Sequence, residues 1–155
     1  MSSERDVAGV PLPPPLIYIA GLAAGGVVEF FRSTQGPPWP ISVTIAVACV
    51  LAFVALAFPA VARFRRAGTS ENPFRPSTAL VVDGPYRITR NPMYLGMAVL
   101  YVGVAFVLGL MWAFLFLPFA VIAVDRLVIA REEPYLERKF GEEYVEYKRR
   151  VRRWI

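Results

Sequence analysis

The chain has 155 residues, enough for one domain, with 56% hydrophobic residues and a net charge of +5. A mean hydropathy of +0.47 is too apolar for an ordinary soluble fold of this length, so a membrane protein is expected. It has no histidine and a single cysteine, Cys49, which leaves no serine-type triad, no intramolecular disulfide and no zinc or thiolate metal site to consider.

The acidic start, Met1 to Asp6, and the four prolines between Pro11 and Pro15 do not read as a cleaved signal peptide. A hydrocarbon layer requires about 20 mostly apolar residues in helical form, because every backbone group must be satisfied within the segment. Leu16 to Phe31 makes a short first span and Ile41 to Ala62 a second. Within the first, Gly21-Leu-Ala-Ala-Gly25 allows another helix to approach closely, a pattern that mostly serves packing inside one chain. The apolar run from Met93 to Ile129 is too long for one helix. A break near Gly109 divides it into a third span, Met93 to Leu108, and a fourth, Leu110 to Ile129, with a kink expected at Pro118.

Four spans sort the charges. All but Arg32 of the 17 Lys and Arg fall on the side that holds the N-terminus, the loop from Arg63 to Asn91 and the C-terminal tail. That side should be cytoplasmic, with both termini on it. The loop is punctuated by Pro73, Pro76 and Gly84-Pro85 and should fold as turns and extended pieces. In the tail, Phe140, Tyr144, Tyr147, Val151 and Trp154 form one stripe of an amphipathic helix with Lys148, Arg149, Arg150, Arg152 and Arg153 on its other faces. Such a helix is expected to lie on membrane lipids with its aromatic residues down. The fold class is therefore all-α: about four transmembrane helices, a cytoplasmic loop and a C-terminal amphipathic helix. Residues 1–155 form one domain, 1–68 carrying the first two spans.

Chemistry concentrates in two stretches. In Leu80-Val-Val-Asp-Gly-Pro-Tyr-Arg-Ile-Thr-Arg-Asn-Pro-Met-Tyr-Leu-Gly96, Asn91-Pro92 reads as the cap and first residue of the third span. The free N–H groups and positive dipole end of that helix point into the loop, where they can hold a carboxylate. Arg87 and Arg90 add fixed charge there, and Tyr86 and Tyr94 add aromatic faces with hydroxyl groups. In the second stretch, Glu132 and Glu133 stand where the fourth span leaves the membrane, with Asp125 about two turns earlier on the same face as Glu132. Carboxylates at a membrane boundary need partners, which a cationic ligand or Arg87 and Arg90 could supply.

The two stretches, in this order around an apolar hairpin, resemble the isoprenylcysteine carboxyl methyltransferase family and, more distantly, the phospholipid N-methyltransferases. Leu80 to Gly96 follows the family's first motif. Glu132, Glu133, Leu136, Phe140, Gly141, Tyr144, Tyr147 and Val151 match its second. Where the prenylcysteine enzymes carry histidine after the motif arginine, this chain has Asn91, a form frequent among bacterial members.

The resemblance covers residues 69–155 and implies an enzyme, an S-adenosylmethionine-dependent methyltransferase of a bacterial inner membrane. Thr78, Ala79, Leu80 and Val81 would line the cofactor, Tyr86 would pack beside it, Asn91, Pro92, Met93 and Tyr94 would touch it from the helix start, and Glu132 would bind it from the other side. Arg90 is the candidate for orienting an anionic acceptor. Glu133 is the candidate proton acceptor for an amine. The acceptor, a carboxylate, thiol or amine, should be a lipid or small apolar compound arriving from the membrane, and no nucleic acid is expected as a partner. The competing reading is a non-catalytic scaffold or small transport subunit that keeps the motifs as caps and ion pairs.

Overall fold

The computed structural model describes residues 6–155; residues 1–5, on which most of the acidic start lies, are outside the described residues. Among the described residues every regular element is helical. Helix α1 (Pro14–Phe31) opens on a proline run, with Pro14 at a first-turn position that needs no N–H. Helix α2 (Trp39–Arg66) carries Arg63, Arg65 and Arg66 in its last turn, where cations complement the negative dipole end. Helix α3 (Pro92–Leu108) stops at Gly109, whose φ of 66° is the left-handed conformation that glycine adopts without steric cost. Helix α4 (Ala113–Val124) runs through a π-helical turn, Asp125–Ile129, into α5 (Ala130–Phe140), so that Ala113–Phe140 is one continuous rod.

By length and composition α1, α2 and Ala113–Phe140 can each cross a membrane, and α3, at 17 residues, is the shorter apolar helix beside them. The expected break near Gly109 is present. Pro118 lies inside α4, but the irregular turn of the rod comes seven residues later.

Small residues decide the packing. α1 lies on α4 and α2 on α3. The close approach predicted for the Gly21-to-Gly25 pattern is made within the chain: Gly21 faces the Tyr101 ring, and a Cβ on Gly25 would stand 2.7 Å from Ala113 Cβ. Gly103 meets Cys49 in the same way, at 2.8 Å. The Tyr101 hydroxyl donates to Ala113 O (2.7 Å) and the Tyr18 hydroxyl to Tyr94 O (3.0 Å), so buried phenols tie the helices together while meeting their own polar needs. Away from the loop, Glu29 accepts from Trp112 N (3.2 Å) and the Thr34 hydroxyl (2.7 Å). Outward faces carry large exposed apolar residues such as Phe30, Leu51, Phe58 and Phe119, as a hydrocarbon surround requires.

The tail departs from expectation. Gly141, at φ 56°, ends α5, and a separate short helix α6 (Glu142–Arg150) follows. The aromatic stripe is therefore not one continuous helix face, and it does not lie on lipid. Tyr144 and Tyr147 are buried against Ala60, Val81 and Tyr86, and Trp154 packs on the core of the helix bundle. The physical reason is that the loop offers its own apolar surface at Leu80, Val81 and Tyr86, and covering it removes that surface from water.

If α1 rests on α4 through Gly25, Gly25→Ala should lower the melting temperature, at a cost of about 1–3 kcal/mol for overpacking. Gly26→Ala is the control, because its Cβ would meet only Leu110 at 3.7 Å. Equal thermal stability of the two variants would contradict this helix pairing.

Candidate active-site cleft

The loop between α2 and α3 is held from several sides. Arg63 pairs with Asp83, and Thr78 donates through its N–H to Thr69 Oγ1 (2.8 Å) and through its hydroxyl to Gly68 O (3.0 Å). The Tyr135 hydroxyl accepts from Ser77 N (3.0 Å) and donates to Asp6 O (3.1 Å), joining α5, the loop and the N-terminal segment. A one-turn 3-10 helix, Gly84–Arg87, turns Tyr86 inward, where Tyr147 donates to its carbonyl (2.8 Å).

Between the loop, the start of α3 and α5 lies an open cleft lined by residues from all three. Of the residues expected around a cofactor, Ala79, Leu80, Val81, Tyr86, Asn91, Pro92, Met93, Tyr94 and Glu132 line it, as does Arg90. Thr78 does not; its hydrogen bonds are spent holding the loop. Phe64, Ser77, Tyr135, Tyr144 and Tyr147 complete much of the wall. Tyr144 and Tyr147 had been read as membrane-facing, and Tyr135 had no signal beyond its place between Glu133 and Leu136.

The charged groups divide between the cleft and its supporting side. Glu132 turns to the cleft, where the Tyr94 hydroxyl donates to it (2.6 Å). Glu133 turns away: its carboxylate takes Arg90 Nη2 (3.1 Å) and Arg153 Nε (3.0 Å), and pairs again with Arg153 Nη2. Arg153 Nη1 reaches both oxygens of Asp125 at 3.1 Å, and Trp154 Nε1 donates to the same carboxylate (3.1 Å). Asp125 was expected on the face of Glu132. In an α-helix, residues seven apart align, at about 100° per residue. The π turn absorbs one extra residue, so the aligned partner becomes Glu133.

Arg87 is exposed and stands apart from these carboxylates, contrary to its expected pairing role. Asn91 occupies the cap position of α3, yet its side chain makes no cap bond; its Nδ2 donates to Arg153 O (3.0 Å). Thr89, fully buried, takes over part of that task, accepting from Asn91 N (3.1 Å) while donating to Arg153 O (3.0 Å). Arg90 N donates to Arg152 O (3.0 Å), so the tail after α6 is laced to the residues just before α3.

Three buried polar atoms at this site have no partner: Arg90 Nε, Arg90 Nη1 and the Tyr86 hydroxyl. All belong to side chains that line the cleft. Nearby, the first backbone bond of α3 runs from Leu95 N to Asn91 O (3.0 Å), so the Met93 and Tyr94 N–H groups precede the helical ladder. Guanidinium nitrogens beside a helix N-terminus form a site for an anion. Burial pushes the phenols of Tyr86, Tyr144 and Tyr147 above their ordinary range, so they act as neutral donors or acceptors. Hydrogen bonding to Glu133 first, and attraction to it and Asp125, hold the Arg153 guanidinium more firmly protonated still. No cluster of three or more candidate metal ligands exists among the described residues.

A Haemophilus influenzae protein described only as uncharacterized is similar to this chain, with 41% identity over 63 residues, which is 41% of this chain and all of that protein. No solved structure matches the chain. The profile of the phospholipid methyltransferases matches residues 41–143, from the second helix through the fifth and into the start of the sixth. That match spans more than half of the chain and includes the loop, the start of α3 and Glu132, and the protein belongs to the phospholipid methyltransferase family.

Proposed function

We propose that this membrane protein transfers a methyl group from S-adenosylmethionine to an apolar or lipid-linked acceptor at the cytoplasmic face of a bacterial inner membrane. The observation that carries the reading is the meeting, in one cleft, of two unpartnered Arg90 nitrogens, the start of α3 and the Glu132 carboxylate. These groups fit the donor's amino-acid arm and nucleoside. Arg90 and the Met93 and Tyr94 N–H groups suit its carboxylate, Glu132 suits its amine or ribose hydroxyls, and Leu80, Val81, Tyr86 and Met93 offer a slot for adenine.

When bound, the cofactor supplies a methyl group on a positively charged sulfur. The protein's share is alignment and exclusion of water. Tyr86, Tyr144 and Tyr147 close the floor of the cleft, and the loop held by Tyr135 closes its side. Glu133, gripped by two guanidinium groups, is poorly placed to collect a proton. With no histidine in the chain, an acceptor that arrives as a carboxylate or thiolate suits this site better than an ammonium, which must first lose a proton. The acceptor would come from the lipid side. A non-catalytic scaffold is the competing reading, and donor binding separates the two.

Purified protein in detergent should be stabilised by S-adenosylmethionine or S-adenosylhomocysteine, by about 2.7 kcal/mol at 100 times the dissociation constant. Absence of any thermal shift with either compound would favour the scaffold. Glu132→Gln should weaken binding about tenfold, the scale of one charged hydrogen bond, and barely change the melting temperature of the free protein, since an amide oxygen can still accept from Tyr94. Unaltered affinity would leave Glu132 as no more than an anchor for Tyr94.

The orientation follows from charge. Asp6, the loop and the tail meet at one end of the helices, and among the described residues the basic ones other than Arg32 gather there. A topology reporter fused after Ile155 should be active only in the cytoplasm; a periplasmic signal would overturn this assignment.

A further inference from the structure

We propose that Arg153, in the tail beyond α6, is a positioning residue: by engaging Asp125 and Glu133 it keeps Glu133 from capturing Arg90 entirely, leaving two Arg90 nitrogens for the carboxylate of the cleft's occupant. The inference rests on the reading of the cleft as a donor site, and it concerns residues of the tail beyond the span 41–143 over which the family match extends.

The geometry is that of a shared carboxylate. Glu133 Oε1 is 3.0 Å from Arg153 Nε and 3.1 Å from Arg90 Nη2, and Glu133 Oε2 pairs with Arg153 Nη2. The Glu133 and Arg90 side chains are only 10% and 11% exposed. Two guanidinium groups therefore serve Asp125 and Glu133 together, and Arg90 contributes a single nitrogen to the arrangement. Its Nε and Nη1 remain buried and unpartnered, on a side chain that lines the cleft. A carboxylate alone with one arginine prefers the two-pronged, parallel pairing. Without Arg153, Glu133 would take a second nitrogen of Arg90 and turn the fork away from the cleft.

The tail is placed for this by its own backbone. Arg152 O and Arg153 O accept from Arg90 N, Thr89 Oγ1 and Asn91 Nδ2, each at 3.0 Å. Those donors are Arg90 itself and its neighbours on both sides in sequence. Tail and arginine thus share one hydrogen-bonded frame, and the separation of the two guanidinium groups is set by it.

A merely structural staple predicts something different, and two probes distinguish them. S-adenosylhomocysteine carries the amino-acid carboxylate; 5′-methylthioadenosine is the same nucleoside thioether without that arm. Wild-type protein should bind the first more tightly. Arg153→Gln should lower affinity for S-adenosylhomocysteine about tenfold, the worth of a charged hydrogen bond, and leave 5′-methylthioadenosine nearly unchanged. The double variant Glu133→Gln with Arg153→Gln should recover much of the lost affinity, because the competing carboxylate is gone and no buried charge is left over from that pair. Equal weakening of both probes, no weakening of either, or failure of the double variant to recover would each overturn the positioning role. Should the wild type bind neither probe, or both alike, the donor reading of the cleft fails first and the role of Arg153 falls with it. The second probe also reports folding, since its binding is lost whenever the cleft itself collapses.

Discussion

An ionised side chain at the edge of a hydrocarbon layer is expensive unless its partner is folded in beside it, and the end of this protein that carries the loop and the tail is built around one such group of partners. Asp125, Glu133, Arg90 and Arg153 come from the membrane rod, the loop and the tail, and each carboxylate meets at least one guanidinium group. Because the four residues lie on three separate segments, satisfying them requires all three segments to be in place. The tail's hydrogen bonds to the loop and the buried phenols of α6 are then consequences of the same demand. Little of this depends on helix propensity: α6 is a helix of nine residues, too short to persist alone.

The π turn is what gives neighbouring glutamates opposite tasks. In a regular helix Glu132 would align with Asp125 and Glu133 would be turned well to the side. One additional residue in the turn Asp125–Ile129 rotates everything after it. Glu133 then faces Arg153, and Glu132 faces the cleft and Tyr94. Pro134, inside α5, reinforces the irregularity because it has no N–H to give to a carbonyl of the preceding turn. Two adjacent carboxylates, one bound by arginines and one by a phenol, become a support and a cleft-facing group through backbone geometry alone.

The pattern of apolar residues made the four helices legible, since length and hydropathy govern membrane spans directly. Asn91-Pro92 likewise marked the start of α3, and Gly109 its end, because proline and glycine act through local backbone sterics. The cleft lining was largely legible from two motifs. What the sequence hid were quantities that depend on three-dimensional register. A π turn has no clear residue signature, so Asp125 was aligned with the wrong glutamate. The aromatic stripe of the tail looks the same whether it meets lipid or protein, and only the apolar surface of the loop decides between them. Arg153 was counted among surface charges because its neighbours Arg149, Arg150 and Arg152 are indeed exposed.

The lack of histidine is consistent with this design. A site that must move a proton needs a group whose charge can change near neutral pH; beside the cleft, Arg90 is paired with Glu133 and the phenols are held neutral by burial. What the paired groups can do is hold charge still. Methyl transfer from a sulfonium to an anionic acceptor asks for that, because opposite charges cancel as the bond forms and a dry, immobile surround strengthens the attraction between them. An ammonium acceptor would need a proton outlet, and the carboxylates that line the cleft are those of Glu71 and Glu132, the second already accepting from Tyr94. On the proposed methyl-transfer reading, the protein's work lies in holding the two reactants in line.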